Sequence, residues 1–257
     1  MTGGISHSNP DIRLAADLIR QSKHMVVLTG AGISTGSGIP DFRSEDSGLW
    51  ARYDPFEVAS LSAFRYHPDR FFAWMRPLVA DILAASPNPA HLAITSFQKA
   101  GYVQTVITQN IDGLHHRAHS KNILEVHGTL RTLTCIGCFQ QLISEDIIQT
   151  YLDNGEIPRC PNCCNILKPD VVLFEEQLPI RPWMMAQEAC SKCDLIIVGG
   201  SSLEVMPVAG LPMRAVENHA RLIIINRSPT YIDPRADLIF RQNITEILPA
   251  IVNELNR

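Results

Sequence analysis

Four short apolar runs, Met25–Leu28, Val103–Ile107, Leu195–Val198 and Leu222–Ile225, alternate with segments of helical spacing, and each run leads into a polar loop. Strands that are apolar at every position, rather than at every second one, are buried on both faces, as in parallel sheets covered by helices. The helical segments are Ile12–Arg20, Pro89–Lys99, Pro182–Ala189 and Ile244–Leu255. This alternation predicts an α/β fold: a doubly wound parallel sheet of the Rossmann-like type, with its ligand crevice beyond the carboxyl ends of the strands. Polar residues fall at those ends: Gly30 after the first run, Thr108–Asp112 after the second, Gly199–Ser202 after the third and Asn226–Ser228 after the fourth. Four loops are therefore expected to converge on one crevice.

Two stretches interrupt the alternation. Residues 48–88 are rich in Phe, Trp and Arg and read as short helices over the crevice, and residues 128–170 carry cysteine pairs and little helical periodicity. The expected division is a Rossmann-like domain holding the ligand crevice, from 1–47, 89–127 and 171–257, and a smaller domain from 48–88 and 128–170. At 257 residues and 46% hydrophobic composition, the chain can bury both cores. Its net charge of −4, with charges scattered, leaves no basic footprint for direct nucleic-acid binding. No apolar run approaches a membrane span and no secretory pattern opens the chain, so a soluble cytoplasmic protein without a membrane partner is expected.

The first loop reads T-G-A-G-I-S-T-G-S-G-I-P-D-F-R-S over Thr29–Ser44. Gly30 and Gly32 suit a tight turn whose amides approach an anion, and a helix beginning near Ile33 would add its positive end. The dinucleotide fingerprint is incomplete, because Thr35 stands where a third glycine is required and Gly36 comes one residue late. A tight turn binding nothing would explain the glycines alone. It would not explain Asp41, Phe42 and Arg43 beside the stiffening Pro40.

Cys135-Ile-Gly-Cys138 and Cys160-Pro-Asn-Cys163 are C-x-x-C pairs separated by twenty-one residues, close to zinc-ribbon spacing. Four thiolates fill a tetrahedral shell and leave no position for water, so the expected metal is a structural zinc. Cys164 follows the second pair directly, but the two-residue spacing favours Cys163. Cys190 and Cys193 repeat the spacing without a partner pair and read as core cysteines.

Thr108-Gln109-Asn110-Ile111-Asp112 leads into a segment containing His115, His116 and His119, which are expected to stay helical surface or core. Capping of that helix would account for Asp112 alone; Gln109 and Asn110 add amides suited to ribose or a carboxamide. His127, directly before Gly128 and the cysteine insertion, is the candidate general base, since imidazole accepts a hydroxyl proton near neutral pH.

The segments G-A-G-I-S at Gly30–Ser34, G-I-P-D-F-R at Gly38–Arg43, T-Q-N-I-D at Thr108–Asp112, H-G at His127–Gly128, V-V-L-F at Val171–Phe174 and G-S-S-L-E-V at Gly200–Val205 accompany the two cysteine pairs. Together they resemble the sirtuins, the silent-information-regulator family of NAD-dependent protein lysine deacylases, over nearly the whole chain. The resemblance implies that NAD is consumed as a co-substrate and that the partner is an acyl-lysine protein or peptide. The acyl oxygen attacks the nicotinamide ribose as nicotinamide leaves, His127 deprotonates a ribose hydroxyl, and water releases free lysine and an O-acyl-ADP-ribose. It further implies that Asn110, Asp112 and Ser34 line the nicotinamide and ribose pocket, with Gly30, Ala31, Gly32, Asp41, Gln109 and Ile111 in the same cofactor site. Phe42 and Arg43 would close over it. Gly200, Ser201, Ser202, Asn226, Arg227 and Ile244 would face the phosphates, adenosine ribose and adenine. Val172 and Phe174 would meet the acyl-lysine.

The chain departs from the family at Glu175, where the substrate strand usually carries glycine, and at Gln242, near the adenine loop. Glu175 restricts the backbone and adds a carboxylate near the peptide groove, unless it is a tolerated, outward-pointing side chain. The tyrosine and arginine that hold acidic acyl chains in the desuccinylase branch align with Met75 and Leu78, which implies neutral acyl groups. Three alternatives share parts of this pattern. ADP-ribosyl transfer or NAD hydrolysis would use the same pocket, a hydride-transfer oxidoreductase the same sheet, and a non-catalytic zinc-ribbon module only the cysteines.

Overall fold

In the computed structural model, which describes residues 9–41 and 48–257, the apolar runs divide their side chains between two layers. Met25, Val27, Leu195, Ile197, Ile223 and Ile225 belong to one buried cluster, and Val26, Leu28, Ile196, Val198, Leu222 and Ile224 to another. Successive strand residues point to opposite faces, so a run apolar throughout must be covered on both. Phe42 and Arg43 lie outside the described residues.

The first half of the chain forms α1 (Pro10–Gln21), β1 (Met25–Thr29), α2 (Pro55–Val58), α3 (Leu61–Tyr66), α4 (Pro68–Ala84), α5 (Pro89–Lys99), β2 (Val103–Thr108), α6 (Leu114–Arg117) and β3 (Ile123–Glu125). The second half forms β4 (Gly128–Cys135), β5 (Gln141–Ile143), α7 (Glu145–Asn154), β6 (Leu167–Val171), α8 (Ile180–Lys192), β7 (Leu195–Gly199), α9 (Leu211–Glu217), β8 (Arg221–Ile225), β9 (Leu238–Phe240) and α10 (Ile244–Leu255). Helix starts are marked by short polar caps: the side chains of Asn9, Asn88 and Asn243 accept from the amides of Asp11, Ala90 and Thr245, with Pro10 and Pro89 in the first turns.

Six parallel strands are ordered β3-β2-β1-β7-β8-β9. The chain builds outward from β1 to β3, then restarts beside β1 and builds the other way, so the topological switch lies between β1 and β7. Helices α1, α5 and α10 cover one face, and α8 and α9 the other. Among the described residues no helix is long and apolar enough to cross a membrane.

The two interrupting stretches pack on each other. Strands β5-β4-β6 form an antiparallel sheet, and a third core joins Phe64, Phe71, Phe72, Met75 and Leu78 to Leu133, Ile148, Tyr151 and Leu167. The Tyr151 hydroxyl donates to the carbonyl of Phe72, tying α7 to α4. Ile39 and Leu114, from the loops after β1 and β2, and Leu173, just beyond β6, also enter this core.

Several expectations need correction. No α-helix begins near Ile33; Ala31–Ile33 and Thr35–Ser37 are separate single 3₁₀ turns, the second ended by Gly38 at φ +87°. Gly, Ser and Thr are poor helix formers, and Gly38 cannot propagate a helix in that conformation. The 48–88 stretch is not made only of short helices, because α4 runs for 17 residues. The 128–170 stretch contains the ten-residue α7, whose apolar residues Ile147, Ile148, Tyr151 and Leu152 do follow helical spacing, over too short a run to stand out among the cysteine pairs and short strands around it. The histidine-bearing helix is the single turn α6, with His119 beyond it at φ +62°.

Candidate active site

Tight backbone contact between the β1 and β7 loops forms the floor of the site. The amide of Gly30 donates to the carbonyl of Gly199 at 3.1 Å, and that of Gly32 to Gly200 at 2.8 Å. A Cβ on Gly32 would stand 2.9 Å from the backbone of Gly200, so glycine is required here for close approach. These two amides are spent on joining the loops across the switch point.

The β2 loop is fastened to the same floor. The Asn110 side-chain amide donates to the Gly30 carbonyl at 3.2 Å and to the Ser34 hydroxyl at 3.0 Å, and Ser34 donates to Asp112 at 2.7 Å. The other Asp112 oxygen accepts the amide of Leu114 at 2.8 Å, so capping of α6 and attachment to the first loop coexist in one carboxylate. Burial pushes Asp112 up from its ordinary value, opposed by the bonds from Ser34 and Leu114 and by the nearby Arg117 guanidinium. Arg117 also donates to the carbonyls of Ile82, Ala85 and Asp112, linking the end of α4 to this loop.

His127 follows β3, where its Nδ1 lies 3.1 Å from the Gln109 carbonyl. A carbonyl only accepts, so the neutral ring carries its proton on Nδ1 and keeps Nε2 as the basic nitrogen. Gln109 in turn donates from its side chain to Ser201 at 2.9 Å. The His127 carbonyl accepts the amide of Val172 at 2.8 Å, which places the imidazole beside the chain segment following β6. Gly128 makes this junction possible: at φ +79°, a Cβ would lie 2.0 Å from the Asp170 carbonyl.

A cavity of about 850 Å³ opens over these groups. Gly30, Ala31, Gly32, Asp41, Gln109, Asn110, Ile111, His127, Gly200, Ser201, Ser202, Asn226, Arg227 and Ile244 all line it, as do Met75, Leu78, Val172, Phe174, Glu175 and Gln242. Ser34 and Asp112 stand behind the wall, 1% and 8% exposed, and orient Asn110 rather than lining the cavity themselves. Sequence reasoning passed over Trp50 and Trp74, whose rings stack at 5.9 Å and line the cavity beside Phe174. A tryptophan sharing a cavity with apolar neighbours is indistinguishable in sequence from a core residue. His115 is core, its Nε2 3.0 Å from the Thr29 hydroxyl, and His116 is half-buried 3.4 Å from Glu125.

The sulfur atoms of Cys135, Cys138, Cys160 and Cys163 lie within 4.8 Å of one another, with the Cys135–Cys163 and Cys138–Cys160 pairs at 3.4 and 3.7 Å. Tetrahedral zinc with bonds of about 2.3 Å separates its sulfurs by about 3.8 Å, so the donor set fits. The amides of Gly137 and Cys138 point at the Cys135 sulfur. Cys164 and the buried pair Cys190 and Cys193 stand outside the cluster.

A doubly wound sheet with a crevice at its switch point, capped by a zinc-ribbon and helical insertion, defines a dinucleotide-binding α/β protein with a second, smaller unit over the site. The Sir2 family model matches residues 30–207. An NAD-dependent protein deacylase 2 of Archaeoglobus fulgidus is 47% identical over 248 residues, covering 96% of this chain and 97% of its own. An NAD-dependent protein deacetylase of Sulfolobus acidocaldarius is 39% identical, with 95% of each chain covered. A solved structure described as "Sir2-p53 peptide-NAD+" superposes with a TM-score of 0.87 at 36% identity, covering 95% of this chain and 98% of the other. The chain belongs to the Sir2 family.

Proposed function

We propose that this protein is an NAD-dependent protein lysine deacylase acting on neutral acyl groups, acetyl or longer, and yielding nicotinamide, free lysine and an O-acyl-ADP-ribose. The observation that carries the reading is His127, its Nδ1 3.1 Å from the Gln109 carbonyl, on the wall of a cavity that also reaches the switch-point loops and Phe174. NAD, when bound, supplies an electrophilic ribose carbon and its own leaving group. Gly30, Ala31, Gly32, Asp41, Gln109 and Ile111 would hold its nicotinamide half, with Asn110 oriented for it by Ser34 and Asp112. Gly200, Ser201, Ser202, Asn226, Arg227 and Ile244 would hold its adenosine half. His127 would accept the proton of a ribose hydroxyl at Nε2.

Val172 and Phe174 would receive the acyl-lysine, with the acyl chain against Met75 and Leu78. Among the described cavity-lining residues the only lysine or arginine is Arg227, on the β8 loop rather than on α4. An acidic acyl chain at Met75 and Leu78 would lose hydration without gaining a cationic partner among the described residues of α4 that line the cavity. The division into an NAD-binding unit (1–47, 89–127, 171–257) and a small unit (48–88, 128–170) is supported by the separate third core, although that core borrows residues from the larger unit. A cytoplasmic location suits four thiolates that must stay reduced to bind zinc.

Mass spectrometry of the protein with NAD and a panel of acyl-lysine peptides tests the reading. Nicotinamide release matched by deacylated peptide and O-acyl-ADP-ribose is expected. NAD loss with the acyl groups left in place would assign the chain to ADP-ribosyl transfer or NAD hydrolysis instead.

A further inference from the structure

Glu175 occupies the left-handed region at φ +73°, a conformation that L side chains seldom adopt. The residue is exposed, yet its carboxylate has a protein partner. It accepts the amide of Ser62, at the start of α3, at 2.9 Å. Two backbone bonds flank this contact: the Phe174 amide donates to the Ala59 carbonyl, and the Leu61 amide to the Phe174 carbonyl, each at 3.0 Å. The Phe174 ring stands 5.0 Å from that of Phe56 on α2 and 6.0 Å from that of Trp50. Glu176 turns elsewhere, accepting the amide of Leu173 and pairing with Lys168 at 2.8 Å. The two consecutive glutamates thus fasten one segment to different neighbours, Glu175 to the helical insertion and Glu176 to β6.

We propose that Glu175 is a positioning residue, a carboxylate staple that holds the 173–176 segment against the junction of α2 and α3 and so sets the acyl-substrate cleft between Phe174, Trp50 and Trp74. The inference rests on the deacylase reading for its substrate. A glycine at this position takes up the left-handed turn freely but offers nothing to Ser62; glutamate accepts the backbone penalty and supplies the third bond. None of the three bonds involves the β1, β2, β7 or β8 loops, so the staple acts on the acyl-peptide and not on NAD.

The test compares the full-length wild type with Glu175→Gly, which relaxes the backbone and removes the acceptor, and Glu175→Gln, which keeps an acceptor oxygen. Losing one hydrogen bond that shapes the cleft should raise the acyl-peptide KM of Glu175→Gly about fivefold, with Glu175→Gln restoring it to within about twofold. The loss should fall on peptide KM rather than on kcat or the KM for NAD. Hydrogen exchange should show the Ser62 amide exchanging faster in Glu175→Gly while the Phe174 amide keeps its protection. An unchanged peptide KM in Glu175→Gly, unchanged exchange at Ser62, or a Gln variant as impaired as Gly overturns the staple. A wild type that deacylates no peptide overturns the deacylase reading, and the exchange measurement still decides whether Glu175 holds Ser62.

Discussion

The hydroxyl of Ser34 donates to Oδ2 of Asp112 at 2.7 Å while accepting from the side chain of Asn110 at 3.0 Å. One small side chain from the β1 loop thereby fixes two residues of the β2 loop, 76 and 78 positions later in the chain. Because Ser34 and Asp112 are buried, neither has water as an alternative partner.

Ser34→Ala should therefore cost more than a surface hydroxyl. It strands one Asp112 oxygen and releases the Asn110 carboxamide, a buried loss of about 1–3 kcal/mol. Urea denaturation should register that destabilisation, and steady-state kinetics should show the larger part of the activity loss in kcat and in the KM for NAD. A variant of unchanged stability would mean that Asp112 finds another donor.

His127→Ala should leave the fold and zinc content intact, since the ring stands on the cavity wall, away from the four cysteines, with Nδ1 toward the Gln109 carbonyl. Removal of a general base typically costs 10²- to 10⁴-fold, and deacylation should fall by at least about 10²-fold. Retained turnover would remove His127 from the base role.

What could be read beforehand follows from which interactions are local. The β1, β2, β7 and β8 runs and the helices α1, α5, α8 and α10 were legible because burial on one or both faces writes a period into the chain. The edge strands β3 and β9, three residues each, are too short to show a period, and the helical spacing of Ile147, Ile148, Tyr151 and Leu152 in α7 spans less than two turns. At the site, residue types announced chemistry at Asn110, Asp112, His127 and the four cysteines. The division of labour did not show: Gly30 and Gly32 give their amides to another loop, Ser34 and Asp112 work from behind the wall, and Glu175 turns back to Ser62. Each depends on a partner far away in sequence, which spacing alone cannot reveal.

Two buried histidines make stability depend on pH. Burial lowers His115 from 6.5 to about 3 and His91 to about 4, helped by the neighbouring ring at His115 and by Arg117 at His91; the rings stand 4.9 Å apart. Both are bases with lowered folded-state values, so between pH 6.5 and about 4 the unfolded chain binds protons that the folded chain refuses. Stability is present above pH 6.5 and falls as pH falls, by about 1.4 kcal/mol per pH unit for each histidine. Urea midpoints measured from pH 7 to 4.5 should decline on this slope, ahead of carboxylate protonation. His91→Gln should flatten it.

Removing zinc should act on the small unit first. The four cysteines join β4 to the segment before β6, and Cys135 and Cys160 belong to the core shared with α4 and α7. Chelation should release about one zinc per chain, increase hydrogen exchange in β4, β6 and α7, and lower the thermal midpoint by several degrees. The six-stranded sheet has its own two cores and should keep its protection. Equal loss of protection across both sheets would show that the zinc supports the whole chain.

Acyl preference should follow the walls at Met75 and Leu78, which are 3% and 6% exposed and belong to the apolar core as well as to the cavity. A neutral chain exchanges water for apolar contact there, whereas a carboxylate at its end is desolvated with no lysine or arginine beside it among the described residues of α4 that line the cavity. Acetyl- or longer neutral acyl-lysine peptides should exceed a succinyl-lysine peptide of the same sequence by at least about tenfold in kcat/KM. Leu78→Arg should narrow that ratio by supplying a guanidinium, measured alongside thermal stability because the charge enters a buried position. Equal or faster turnover of the succinyl peptide by the unaltered protein would mean that the acyl chain leaves Met75 and Leu78 and finds a cation elsewhere.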